Sequence, residues 1–266
     1  MKNNINMKIS NYLLSLFGYY LEKSSSRSEI LDFIKILRPY STEHKLIRLG
    51  GNYDGGYLIP EDLSNIKFNL SPGVGSRFNF ELDLLKRGIL SYMCDASINS
   101  ISSELAGCKF IKKNIGPINK KNQISINDWI QGINLSKDQD LILQMDIEGM
   151  EYETILSLSK QNLDFFRIII IEFHNLREIK NKFFFKIVAS TFEKLLENFI
   201  ICHIHPNNSC GINQIYDVAI PNGIEVSFIR KDRVKKKIYT KNFPHPLDQP
   251  SVKSMKDIIL PKVWFS

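Results

Sequence analysis

Four consecutive isoleucines, Ile168 to Ile171, stand between Arg167 and Glu172, with no alternation of polar and apolar residues. A strand without a polar side has no face to offer water, so both of its faces must be covered. That places it near the centre of a mainly parallel sheet. The surrounding pattern agrees. Strands are predicted over 66–71, 89–94, 108–113, 140–146, 167–173, 199–205, and 215–220 with 225–230; helices are predicted over 78–87, 99–105, 126–132, 150–158 and 182–198. Such alternation gives an α/β fold with helices on both faces of the sheet. The 266 residues, 43% hydrophobic and 24% charged, suit one domain of this kind with appendages.

The first strand runs into Ser71-Pro-Gly-Val-Gly75, and an amphipathic helix follows from Phe78 to Lys86. Glycine at 73 and 75 permits a sharp turn and close approach of a ligand to the main chain, and the helix aims its free N–H groups into the same crevice. The next strand ends in Asp95, and 95 − 75 = 20, the separation expected of a carboxylate that grips ribose hydroxyls. Glu81, in the first turn of the helix, is grouped with Gly73, Gly75 and Asp95 as cofactor-binding. A third glycine is missing, with Phe78 and Asn79 standing where a dinucleotide fingerprint would continue.

Before this core, Ser28 is expected to cap a helix carrying Ile30, Leu31, Phe33, Ile34 and Leu37, which Pro39 ends. Further upstream, Tyr12, Leu13, Leu16, Phe17 and Tyr20 recur at helical spacing after Lys2 and Lys8. Ser15 and Gly18 interrupt this run, and Glu22 and Lys23 close it, so the reading is a stripe packed on the body or on a second copy in a homodimer, with no membrane span and no signal peptide. The glycine pairs in Arg48-Leu-Gly-Gly-Asn-Tyr-Asp-Gly-Gly-Tyr57 predict a hairpin or lid. Beyond Lys241, Pro244, Pro246, Pro250 and Pro261 predict an extended arm. Four cysteines without ligand spacing favour reduced thiols and the cytoplasm. The net charge of +7 gathers in Arg230 to Lys237 without aromatic interleaving, which argues against nucleic acid.

Ligands of a parallel sheet bind at the carboxyl ends of its strands. There the sequence places Asp146, Glu148 and Glu151, then Glu172, His174 and Asn175, then His203, His205, Asn207 and Asn208. A hydroxyl that is to react through its oxygen must lose a proton, and His174 is the expected base, with Glu172 two residues earlier on the same side to orient it. Asp146 is expected both beside the cofactor and in catalysis. Glu148, His203, His205, Asn207 and Asn208 are assigned to the acceptor. Asp146, Glu148 and Glu172 also offer oxygen ligands of the kind magnesium takes, but caps and cofactor contacts account for such acids without an ion.

Ile124-Ser-Ile-Asn-Asp-Trp-Ile130, followed by Leu141-Ile-Leu-Gln-Met-Asp-Ile-Glu-Gly-Met-Glu-Tyr-Glu-Thr-Ile155, resembles the FkbM family of S-adenosylmethionine-dependent methyltransferases. The resemblance implies a Rossmann-like class I methyltransferase fold, a seven-stranded sheet with its last strand reversed. Residues 47–240 would form that domain, between a helical extension over 1–46 and the arm over 241–266. Gly73 and Gly75 would hold the methionine end of S-adenosylmethionine, and Asp95 its ribose. Gln144 replaces a lysine frequent in the family, and Cys94-Asp95 stands where many members carry a glutamate. The implied activity is O-methylation of a sugar or glycan-precursor hydroxyl. Two other classes stay open: an NAD(P)-dependent oxidoreductase, and a non-catalytic basic module for anionic glycan or RNA.

Overall fold

The computed structural model describes residues 10–19, 21–133, 135–136 and 139–266. Seven strands form the central sheet: β1 (Phe68–Pro72), β2 (Leu90–Cys94), β3 (Lys109–Ile111), β4 (Leu141–Met145), β5 (Phe166–Phe173), β6 (Phe199–Pro206) and β7 (Ile224–Arg230). Their order is β3-β2-β1-β4-β5-β7-β6, with β7 antiparallel to both neighbours and the other pairings parallel. The isoleucine strand lies in the interior of this order, where each successive side chain meets one of two cores. Ile169, Ile171 and Phe173 pack with Leu141, Leu143 and Met145, while Ile168 and Ile170 pack with Ile142 on the other side.

The first face is helical. It carries α1 (Arg27–Ile36), α3 (Ile126–Gln131), α4 (Glu151–Ser157), the short α5 (Lys160–Leu163) and α6 (Lys182–Asn198), after α2 (Asn79–Leu85) on the opposite face. The second face departs from the expectation of helices on both sides. Beside α2 it is covered by an antiparallel hairpin, Leu46–Leu49 with Tyr57–Pro60, whose Leu49, Tyr57 and Ile59 pack on Phe80 and Ile170. The glycine-rich segment is the turn of that hairpin. Gly50 has φ +92°, and a Cβ there would overlap the Gly55 carbonyl oxygen.

Three local expectations are corrected. No helix forms over 99–105; that segment is a series of turns whose Ile101 and Leu105 still pack beneath Met93. The cap of α1 is Ser26 and not Ser28, because only Ser26 has a glutamate three residues on, and Glu29 completes the capping box. Residues 215–220 contribute to a separate hairpin, Ile212–Ile215 with Val218–Pro221, and not to the main sheet.

The N-terminal stripe does not pack on the body. Tyr12, Leu13, Leu16 and Phe17 are exposed, while Tyr20, Lys2 and Lys8 fall outside the described residues. Among the described residues, no helix is long and apolar enough to cross a membrane. In the basic segment, Arg230 is bound to Asp140 and Asp232, and Arg233 to Asp62. The C-terminal arm does wrap the domain: Leu260 and Trp264 are buried, and the Trp264 indole donates to the Ala219 carbonyl.

Candidate active site

The carboxyl ends of β1, β2 and β4 enclose a crevice of about 680 Å³, lined among others by Tyr57, Gly73, Gly75, Glu81, Asp95, Gln144, Asp146 and Glu148. The two glycines have different tasks. A Cβ on Gly73 (φ +80°) would stand 1.6 Å from the Asp146 carbonyl oxygen, so this glycine lets the β1 and β4 loops touch. Gly75 (φ +54°) has open space where its Cβ would be, which leaves room for a ligand beside the main chain. Its N–H donates to Asp95 Oδ2 at 2.8 Å, and Asp95 Oδ1 accepts from the Ser97 amide and hydroxyl at 2.7 and 2.6 Å. The twenty-residue spacing therefore corresponds to direct contact. Asp95 is ordered by the turn that it faces, with a lone pair left for a further donor.

The turn after β4 sets up the acidic side. Glu148 is left-handed (φ +57°) and Gly149 has φ +105°, which turns the chain into α4. Fully buried Glu151 accepts from the Ile147 and Gly149 amides at 3.1 and 3.0 Å and meets His174 Nδ1 at 3.1 Å. Glu151 thus has two roles, holding the turn amides and orienting the imidazole. His174 Nε2 then lies 3.8 Å from Asp146, 3.7 Å from Glu148 and 3.6 Å from Glu172. Tyr152 fixes this loop by donating to the His174 carbonyl at 2.7 Å.

Electrostatics redistributes the roles expected of these groups. Burial by itself would lower the pKa of His174, but the bond to Glu151 and the charges of Glu151, Glu172 and Asp146 overcome it and raise it to about 9. A higher pKa favours the protonated imidazole, which counts against His174 as the resting base and turns attention to Asp146. Asp146 is pushed up to about 7 by burial, with His174 pulling the other way, and its Oδ1 has no hydrogen-bond partner. Burial next to Asp146 and Glu225 pushes Glu172 well above the usual carboxylate range. Its Oε1 accepts from Asn207 at 2.6 Å. Asp146, Glu148 and His174 also bring possible ligand atoms within 4.8 Å of one another, which is close enough for a divalent cation.

The crevice also holds a chain of polar groups that the sequence pattern largely did not signal. Ser71 Oγ meets both Glu81 and, at 2.6 Å, Gln144 Oε1, and Gln144 Nε2 reaches the Tyr57 hydroxyl at 3.2 Å. Tyr57 comes from the glycine-rich hairpin; its only sequence signal was its place at the end of that run. Over the mouth, Arg77 and Asp54 form a 2.6 Å ion pair, and the Asp54 amide donates to Ser251 of the arm.

Three residues assigned to the acceptor lie elsewhere. His203 Nε2 pairs with Asp248 at 2.7 Å beside Phe243, in a smaller cavity of about 190 Å³ with Tyr40 and His44. His205 lies between Glu225 (3.6 Å) and Asp257 (3.4 Å). Asn208 donates to the Val252 and Met255 carbonyls and accepts from the Val252 amide. All three hold the C-terminal arm, which the strand pattern gave no means to anticipate. Asn207 stays with the site, through Glu172.

Residues 92–203 match the family model described as the Methyltransferase FkbM domain. The match includes Asp95, the Asp146–Glu148 turn and His174, and stops short of Gly73, Gly75 and Glu81. The sheet order, with its reversed seventh strand, is that of a class I methyltransferase. No curated protein matches the sequence. Among solved structures, one from a fibrillarin/Nop5p complex aligns over 63% of this chain and 74% of its own, at 12% identity and a TM-score of 0.34. A Clostridium thermocellum protein described as an rRNA-methylase aligns over 80% of this chain and 98% of its own, at 11% identity and a TM-score of 0.37.

Proposed function

We propose that this chain, whose residues 92–203 carry an FkbM methyltransferase domain, transfers the methyl group of S-adenosylmethionine to a hydroxyl of a sugar or glycan precursor. The observation that supports this most is the convergence of Gly75, Asp95 and Asp146 on one crevice at the carboxyl ends of the strands. The open side of Gly75 and the residual lone pair of Asp95 suit the ribose and backbone-facing parts of the cofactor. S-adenosylmethionine supplies an electrophilic methyl on a sulfonium, so the protein's part is to align an acceptor and take its proton.

Asp146 is the group we assign to that proton. It lines the crevice, has an unpartnered oxygen, and is raised to about 7, near the operating pH of a base. His174, as the cation beside it, favours the ionised carboxylate, and Glu151 and Glu172 hold His174 in place. Glu148, exposed at the rim, is available to acceptor hydroxyls.

Calorimetric titration with S-adenosylhomocysteine, followed by transfer of labelled methyl to a panel of sugars and nucleotide-linked sugars, tests the reading. Binding and methyl transfer to at least one hydroxylated acceptor are expected. Binding of a nicotinamide dinucleotide in place of S-adenosylhomocysteine would overturn it.

A further inference from the structure

One carboxyl group in the crevice is not used by the transfer chemistry. Glu81 is 2% exposed on the inner side of α2, next to Phe80 and Leu84, and shares the cavity wall with Tyr57, Gly73 and Gln144. Its Oε1 contacts Ser71, whereas its Oε2 has no hydrogen-bond partner. For packing alone, an apolar side chain would serve position 81 better, because a buried carboxyl without full partners costs stability. Among the described residues no cation offsets it: Arg77, the basic residue in the cavity lining, is paired with Asp54.

We propose that Glu81 is the counter-ion for a primary ammonium group of the bound ligand, and that this is the α-ammonium of the cofactor's methionine end. This rests on the S-adenosylmethionine reading above. Ser71 fixes one carboxylate oxygen, and the other is left for the ligand's N–H groups. Gln144 and Tyr57 brace Ser71 from behind. Ser71 has a single hydroxyl proton but contacts two acceptors, Glu81 and Gln144 Oε1. The conflict disappears if Glu81 is itself protonated in the free site, and burial does push it up to about 7. An arriving ammonium pairs with the carboxylate, and the displaced proton leaves to solvent. Asp146 lines the same cavity, so a second acid is present there for the cofactor's other cationic centre, the sulfonium.

The test combines ligand and protein changes in calorimetry. The ligands are S-adenosylhomocysteine, its deaminated analogue that retains the carboxylate, and 5′-methylthioadenosine. Wild type is expected to bind the deaminated analogue about 10- to 100-fold more weakly than S-adenosylhomocysteine, the usual worth of a charge-assisted bond. Glu81→Gln is expected to lose a similar factor for S-adenosylhomocysteine and almost none for the other two. Equal wild-type affinity for the amine and its deaminated analogue would overturn the role of Glu81 while leaving the cofactor reading intact, as would an equal loss of all three ligands in a folded Glu81→Gln protein. Wild type that binds neither S-adenosylhomocysteine nor methylthioadenosine would remove the cofactor reading and the inference with it. If Glu81→Gln does not fold, the wild-type comparison of the amine with its deaminated analogue decides alone.

Discussion

A proton leaving an acceptor hydroxyl needs a group that is unprotonated when the acceptor arrives, and this separates Asp146 from His174. With His174 raised to about 9 and Asp146 to about 7, the pair at pH 8 holds its proton on the imidazole and its vacancy on the carboxylate. Asp146→Asn should therefore lower turnover by ~10²–10⁴-fold, with S-adenosylhomocysteine affinity within a few-fold of wild type. The pH profile is the sharper measurement. Wild-type kcat/KM should rise as pH passes about 7, because Asp146 must lose its proton to act. His174 lowers the pKa of Asp146 through its charge, so His174→Gln should move this rising limb to higher pH and not abolish it. A limb that stays in place would assign it to another group.

The Gly-x-Gly turn shows how two glycines with similar backbone angles differ in cost. At Gly73, a Cβ would lie 1.6 Å from the Asp146 carbonyl, so Gly73→Ala must push β1 and β4 apart. Such overpacking with a left-handed backbone costs about 2–4 kcal/mol. At Gly75 nothing lies within 4 Å, so Gly75→Ala should cost about 1 kcal/mol from the backbone alone. Urea denaturation should rank the two variants in that order. Cofactor affinity should show the reverse preference among folded molecules, since the Gly75 methyl would occupy the crevice.

Across the whole molecule, the C-terminal arm ties the last strands to the mouth of the crevice. His203 holds Asp248, His205 meets Asp257 and Glu225, and Ser251 accepts from the Asp54 amide. His205 is raised from 6.5 to about 10: burial opposes the charge, and hydrogen bonds to Asp257 and Glu225 outweigh it. The folded pKa is above the unfolded one, so the stabilisation is complete below about 6.5 and is lost as pH rises through about 10. Thermal melts should accordingly show Tm falling between pH 7 and 10, with a smaller fall in His205→Gln. The sequence by itself determined the sheet: an unbroken apolar strand must be buried on both faces, and the Gly-x-Gly turn, Asp95 and the Asp146–Glu148 turn follow from where such strands end. It also determined α6 to the residue, over 182–198, whereas its cap, the Asn181 side chain accepting from the Phe183 and Phe184 amides, came from the structure. Only the tertiary structure decided that His203, His205 and Asn208 serve the arm, that acids surround His174 and raise its pKa, and that Tyr57, Gln144, Ser71 and Glu81 join in one polar chain. Each of these depends on partners far away in sequence. Periodicity records which side a residue faces, whereas the partner it finds there, and the proton it then holds, are set by what packs opposite.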